Sequence, residues 1–126
     1  MVPLRDTSGA LQNLQFINED GAKRFLKGGR VRGCYFAMGV PAGALFIVEG
    51  YATGATVHEA TGHAVAVAFD AGNLPHVATG LRAKYPDLKI VLCADNDTHS
   101  PGNPGLTKAI EAARRVNGWL TVPQFG

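Results

Sequence analysis

Four of the ten acidic residues in this sequence follow apolar runs. Glu49 directly follows Leu45-Phe46-Ile47-Val48. Asp95 directly follows Ile90-Val91-Leu92-Cys93-Ala94, with Asp97 two positions on, and Asp70 follows the run from Ala64 to Phe69. If those runs are neighbouring parallel strands, the acids gather at the carboxyl edge of one sheet, where open α/β folds bind their ligands. Two carboxylates about 4 Å apart repel by about 4 kcal/mol at an effective dielectric near 20. A fold keeps such a group only when a cation or bound protons offset it. Hard oxygen donors of this kind select Mg2+ (or Mn2+). Such an ion completes its shell with water and phosphate oxygens, the arrangement used in phosphoryl transfer. Glu49 also opens Glu49-Gly50-Tyr51-Ala52-Thr53-Gly54, where glycines permit a sharp turn and close approach to a phosphate. Asp70 has a plainer explanation as a helix cap near Asn73.

The elements that must position these acids are legible from Leu45 onward. Leu45–Val48 is a continuous apolar run, as expected of a strand covered on both faces. A helix is expected from Ala52 to Thr61, ended by Gly62, and a strand from Ala64 to Phe69. Asn73 and Pro75 open a second helix whose apolar positions Leu74, Val77, Ala78, Leu81 and Tyr85 have helical spacing. Ile90–Ala94 is a third strand, followed by a Gly/Pro-rich loop from Asp95 to Gly105. A last helix is marked by Leu106, Ala109, Ile110, Ala113 and Val116, and Trp119 to Val122 reads as a fourth strand. Alternation of this kind predicts an α/β domain over residues 44–126, with about four strands in a mainly parallel sheet flanked by helices. Residues 1–43 read instead as a small antiparallel β ribbon, because Ser8-Gly9, Asp20-Gly21 and Gly28-Gly29 are hairpin chemistry. The two parts could also form one compact unit.

The 126 residues suit one domain, and 46% apolar against 17% charged residues supports a core without disulfides or structural metal. Cys34 and Cys93 form no CxxC pair and read as buried thiols. No apolar run reaches the roughly 20 residues of a membrane span, and no signal peptide opens the chain, so a cytoplasmic location and no membrane partner are expected. Net charge is +2 but unevenly placed. Lys23, Arg24, Lys27, Arg30 and Arg32 fall together with no acid among them. Such a cluster would neutralise phosphates without reading bases, or would simply be a solvated hairpin. Phe25 or Tyr35 would stack a base in the first case; a core position is the commoner fate of Phe25.

Other patterns carry less. His58-Glu59-Ala60-Thr61-Gly62-His63 places its histidines five apart, about 140° round a helix, and so is no H-E-x-x-H zinc helix. Gly102-Asn103-Pro104-Gly105-Leu106-Thr107-Lys108 has neither the spacing nor the leading strand of a P-loop.

Taken together, Val48-Glu49-Gly50-Tyr51-Ala52-Thr53 and Ala94-Asp95-Asn96-Asp97, each ending an apolar strand, resemble the Toprim domain. That domain is shared by bacterial-type primases, type IA and type II topoisomerases, and some nucleases. The resemblance spans roughly Gly43 to Val122. Leu11–Ile17 and Gly21–Gly29 further resemble the stretch before Toprim in primases of conjugative plasmids and phages. The resemblance implies a DNA primase-like nucleotidyltransferase that makes RNA primers on a single-stranded DNA template from nucleoside triphosphates. It implies general acid–base work for Glu49 and magnesium held by Asp95 and Asp97, with Glu49 beside them. It implies nucleic-acid contacts for the basic cluster, and a helicase or other domains of a longer protein as partners. A Toprim nuclease, a topoisomerase-type fragment, or a non-catalytic nucleic-acid-binding module are the alternatives. No tyrosine stands in a context that suggests a strand-cleaving nucleophile: Tyr51 follows the glutamate closely and Tyr85 ends a helix. The sequence departs from the family pattern after Asp97, where Thr98-His99-Ser100-Pro101 precedes Gly102, and at Thr107 and Lys108, where some primases carry another acid.

Overall fold

The computed structural model describes residues 1–95 and 102–122. Among them the chain forms strands β1 (Val2–Arg5), β2 (Leu11–Ile17), β3 (Lys23–Phe25), β4 (Phe36–Met38) and β5 (Ala44–Val48), then helix α1 (Tyr51–Thr61) and β6 (Ala64–Val67). Helix α2 (Leu74–Lys84), β7 (Lys89–Cys93), α3 (Pro104–Val116) and β8 (Trp119–Thr121) follow. β1, β2 and β3 make a three-stranded antiparallel sheet, and the other five strands make a second sheet in the order β4-β6-β5-β7-β8.

Chemistry of the strands explains that order. β5 is apolar along its length and takes the centre, pairing in parallel with β6 on one side and β7 on the other. Its two faces bury different partners. Leu45 and Ile47 share a core with Ile90 and Leu92, packed against Leu74, Val77 and Leu81 of α2 and Ala109 and Val116 of α3. Val48 faces the other way with Val65, Val67 and Cys93, over Val57 of α1. The alternation is the period of two that any strand imposes. Helix α1 and the α2–α3 pair therefore lie on opposite faces, as right-handed crossovers in opposite directions along a sheet require.

The expected α/β architecture is present, with one strand more than the sequence pattern suggests. β4 lies in the ribbon segment by sequence, yet pairs antiparallel with β6 through Phe36↔Val67 and Met38↔Val65. Phe36 and Met38 pack on the α1-side core. Three residues are too few for a period to be read, which is why this edge strand escapes the pattern.

β6 also ends earlier than expected, at Val67, because Phe69 turns the chain with a φ of 78°. Gly62 ends α1 in the left-handed region at φ 71°, where its amide donates to the His58 carbonyl. The first antiparallel turn is held by Asp6. Its carboxylate accepts from the Ser8 amide and hydroxyl and from the Ala10 amide, and the Ser8 hydroxyl bond leads in lowering its pKa to about 2.

Candidate active site at the carboxyl edge of the sheet

Glu49 leaves the end of β5 half-buried and directly precedes Gly50, the N-cap of α1. Its backbone is fixed from the side: the Phe69 amide donates to the Glu49 carbonyl at 2.7 Å, and the Ala68 amide to the Val48 carbonyl at 2.8 Å. Phe69 thus spends its unusual φ on holding the glutamate's strand end. Gly54, part of the same glycine-containing segment, lies inside α1 against the sheet. A Cβ there would stand 2.8 Å from Val67 Cγ2 and 3.0 Å from Val48 Cγ2, so this glycine lets α1 lie close on the sheet.

Asp95 follows β7, the immediate parallel neighbour of β5. The register pairs Ile47 with Leu92, so the two strands run out side by side and deliver Glu49 and Asp95 to the same sheet edge. Strands in such a pair lie about 4.8 Å apart. Asp95 is half-buried. Its charge adds to burial, the larger cause, in pushing the neighbouring Cys93 thiol up to about 12. Helix α3 starts against the aspartate: a Cβ on Gly105 would stand 2.5 Å from the Asp95 carbonyl oxygen. Only glycine lets the first turn of α3 sit there. Asp97, the other expected metal ligand, lies outside the described residues. Among those described, no three His, Cys, Asp or Glu side chains cluster as a metal site. The donor chemistry of Glu49 and Asp95, two hard carboxylates at adjacent strand ends, fits a divalent cation of the magnesium type.

Asp70 is drawn away from this pair. Its carboxylate accepts from the Asn73 amide at 2.7 Å and caps the short 3₁₀ turn Ala71–Asn73 that leads into α2. The capping explanation holds for it. Asn73 makes no cap with its own side chain. Instead it is 3% exposed and binds four ways: its Nδ2 donates to the carbonyls of Val31, Cys34 and Ala68, and its Oδ1 accepts from the Gly33 amide. That amide bracket ties the Arg30–Cys34 loop to the end of β6. Neither this bracket nor Gly105 stands out in the sequence, where Asn73 reads as an ordinary helix cap and Gly105 as one more glycine in a Gly/Pro-rich loop.

The five expected cations divide into two groups. Lys23 and Arg24 lie on β3, an edge strand, with Lys27 just beyond, and all three are exposed. Arg30 and Arg32 sit exposed on the loop that Asn73 holds. β3 is tied to the sheet edge by Phe25, half-buried, whose ring meets Phe69 edge-on with centroids 5.9 Å apart. Tyr35 is 8% exposed and bridges to Arg5, which removes it as a base-stacking residue.

Residues 44–123 match the model of the Toprim domain. This chain belongs to the Toprim family. Its similarity also reaches beyond the Toprim domain: two proteins of Escherichia coli, each a DNA primase TraC, are 47% and 44% identical over 98% of the chain. The chain spans only 12% and 9% of those relatives. In solved structures, the primase fragment of the bacteriophage T7 primase-helicase protein superimposes with a TM-score of 0.65 at 16% identity, covering 98% of this Toprim chain and 51% of that one. T7 primase domains bound to an RNA/DNA hybrid and dTTP, with the lagging-strand DNA polymerase, give 0.63 at 19% identity, covering 98% and 64%. At those identities the two structures establish a shared fold, which includes the antiparallel sheet as well as the Toprim part. No helix among the described residues is long and apolar enough to cross a membrane.

Proposed function

We propose that this chain is the catalytic Toprim part of a DNA primase, joining nucleoside triphosphates into RNA primers on single-stranded DNA with the help of a divalent metal. The observation that carries this reading is the similarity to DNA primase TraC over 98% of the chain, the antiparallel sheet included. A match confined to residues 44–123 would fit a nuclease or topoisomerase equally well.

In this reading Asp95 and Asp97 would hold magnesium, with Glu49 beside them, and the bound ion would supply charge neutralisation at the phosphates. Glu49, held in place by Phe69 and by the start of α1, would take the proton of the 3′-hydroxyl as its oxygen bonds to the α-phosphorus of the incoming triphosphate and pyrophosphate leaves. Lys23, Arg24, Lys27, Arg30 and Arg32 hold template and nucleotide phosphates and so set where the hydroxyl lies. Further domains, a helicase among them, would accompany this part in a longer protein.

Primer synthesis on single-stranded DNA with magnesium is the test, run on this chain and on its Glu49→Gln and Asp95→Asn variants. Metal-dependent primers from the parent chain, reduced by a factor of a hundred or more in either variant, support the assignment. Primers made equally well by Asp95→Asn, or without divalent metal, would overturn it.

A further inference from the structure

A hollow of about 530 Å³, lined by neither Glu49 nor Asp95, opens between the Arg30–Cys34 loop and the outer surfaces of α2 and α3. Arg30, Arg32, Gly33, His76, Thr79 and Arg115 line it. Three guanidiniums from two separate elements thus border one hollow, and no carboxylate is among its lining residues. Arg32 and His76 also border an adjoining hollow that reaches Asp70 and Asn73. Like charges gathered at one cleft repel, and a solvated surface gains nothing from that placement. Of the nearby acids, Glu111 pairs with the cleft's own Arg115 at 3.3 Å and with Lys108 at 3.5 Å, and Asp70 caps the Asn73 backbone amide, so one of the three guanidiniums is partly balanced. The loop carrying Arg30 and Arg32 is not left to find its own shape. Asn73 binds it at Val31, Gly33 and Cys34, and Arg30 Nε donates to the Arg32 carbonyl at 2.9 Å. A preformed loop gives up less entropy when it meets a ligand.

We propose that this cleft is a seat for a phosphoryl anion, gripped by Arg32 and Arg115 with His76 between them. Guanidinium forks match phosphate oxygens in pairs. The source of the phosphoryl group, a strand of nucleic acid or the triphosphate tail of a nucleotide, rests on the primase reading. The seat itself does not. It separates Arg30 and Arg32 from the β3 cations and adds two helix residues, His76 and Arg115, that no motif contains.

His76 supplies a signature. Its pKa is lowered by burial first, then by the cations Arg32 and Arg115, with Lys108 adding to them and Glu111 opposing. Asp70 stands in the adjoining hollow on its other side. An anion seated among these groups would offset the arginines and raise the imidazole's proton affinity. Binding must then take up a proton and tighten as pH falls through the range in which His76 titrates.

The test follows the His76 imidazole resonances in this chain. It is titrated with an oligothymidylate and separately with inorganic tripolyphosphate, without divalent metal. The expected result is a shift of His76 with at least one titrant, stronger at pH 6 than at pH 8. Arg32→Gln with Arg115→Gln should weaken that binding about tenfold, as loss of charge-assisted bonds does. His76→Gln should remove the pH dependence while leaving the fold, checked by the amide spectrum. A response to oligothymidylate alone assigns the seat to a strand, and a response to tripolyphosphate alone assigns it to a nucleotide tail. If tripolyphosphate shifts His76 but DNA does not bind at all, the seat stands and the nucleic-acid reading falls. If DNA binds with its usual salt dependence while His76 stays unmoved by both titrants, the seat is overturned and the primase reading is untouched.

Discussion

Asp95 stands against the first turn of α3 and, in the proposed reading, would also hold the metal. If it is a metal ligand in an acidic group it is held at a cost, so Asp95→Asn should stay folded with unchanged or slightly raised melting temperature, while NMR shifts around Gly50 and Ala94 on adding magnesium disappear. Marked unfolding of that variant would point to a structural role. Gly105→Ala tests the other side of the same residue. Its new methyl would meet the Asp95 carbonyl oxygen at 2.5 Å, and that contact is backbone, which cannot swing aside. A loss of about 1–3 kcal/mol in urea unfolding is expected, as for other overpacked sites. Metal affinity should fall with it, because the aspartate shifts. Unchanged stability and affinity would mean that α3 moves away freely. Glu49 and Asp95 were legible as a pair because strand-end acids are visible in a one-dimensional pattern. Gly105 was not, since the need for it comes from a helix packing on a residue ten positions earlier.

Among the elements, the parallel strands and the three helices could be read from apolar runs and helical spacing, with ends off by a residue or two. What stayed hidden were features made by residues far apart in sequence. β4 is a strand only because β6 offers it an edge. Phe69 bends the chain where the pattern continues apolar. Asn73 reads as a helix cap by type and position, but the cap is Asp70 and the amide goes to the loop some forty residues earlier. Asn73→Asp separates these roles. A carboxylate keeps an acceptor for the Gly33 amide, but turns an acceptor toward the carbonyls of Val31, Cys34 and Ala68. A loss of about 3 kcal/mol is expected in urea unfolding. Amide exchange should quicken first between Arg30 and Cys34. If Asn73→Asp unfolds like the parent, the bracket contributes little and the loop is held by its own turns.

For the molecule as a whole, a net charge of +2 conceals an acidic sheet edge and a basic fringe. The fringe is tied to the edge through Phe25 and Phe69, so the two need not act independently. If the β3 cations hold a nucleic-acid strand, affinity for single-stranded DNA should fall with salt at a log–log slope near −0.7 per phosphate neutralised. Replacing Lys23 and Lys27 with alanine should flatten that slope by about one to two. Stability should stay within about 0.5 kcal/mol of the parent, as for other exposed lysines. An unchanged slope would leave β3 as a solvated hairpin. The seam between the two sheets has one more consequence. The residues that match the Toprim family begin at position 44, so a protein trimmed to that match keeps β6 and loses β4. The amides and carbonyls that now pair with Phe36 to Met38 would then stand open along a row of valine and alanine. Bare apolar edges of that kind recruit strands from other molecules. In the present chain β4 covers that edge, so a protein trimmed to residues 44–123 is expected to self-associate where the longer one does not, which sedimentation of the two would check.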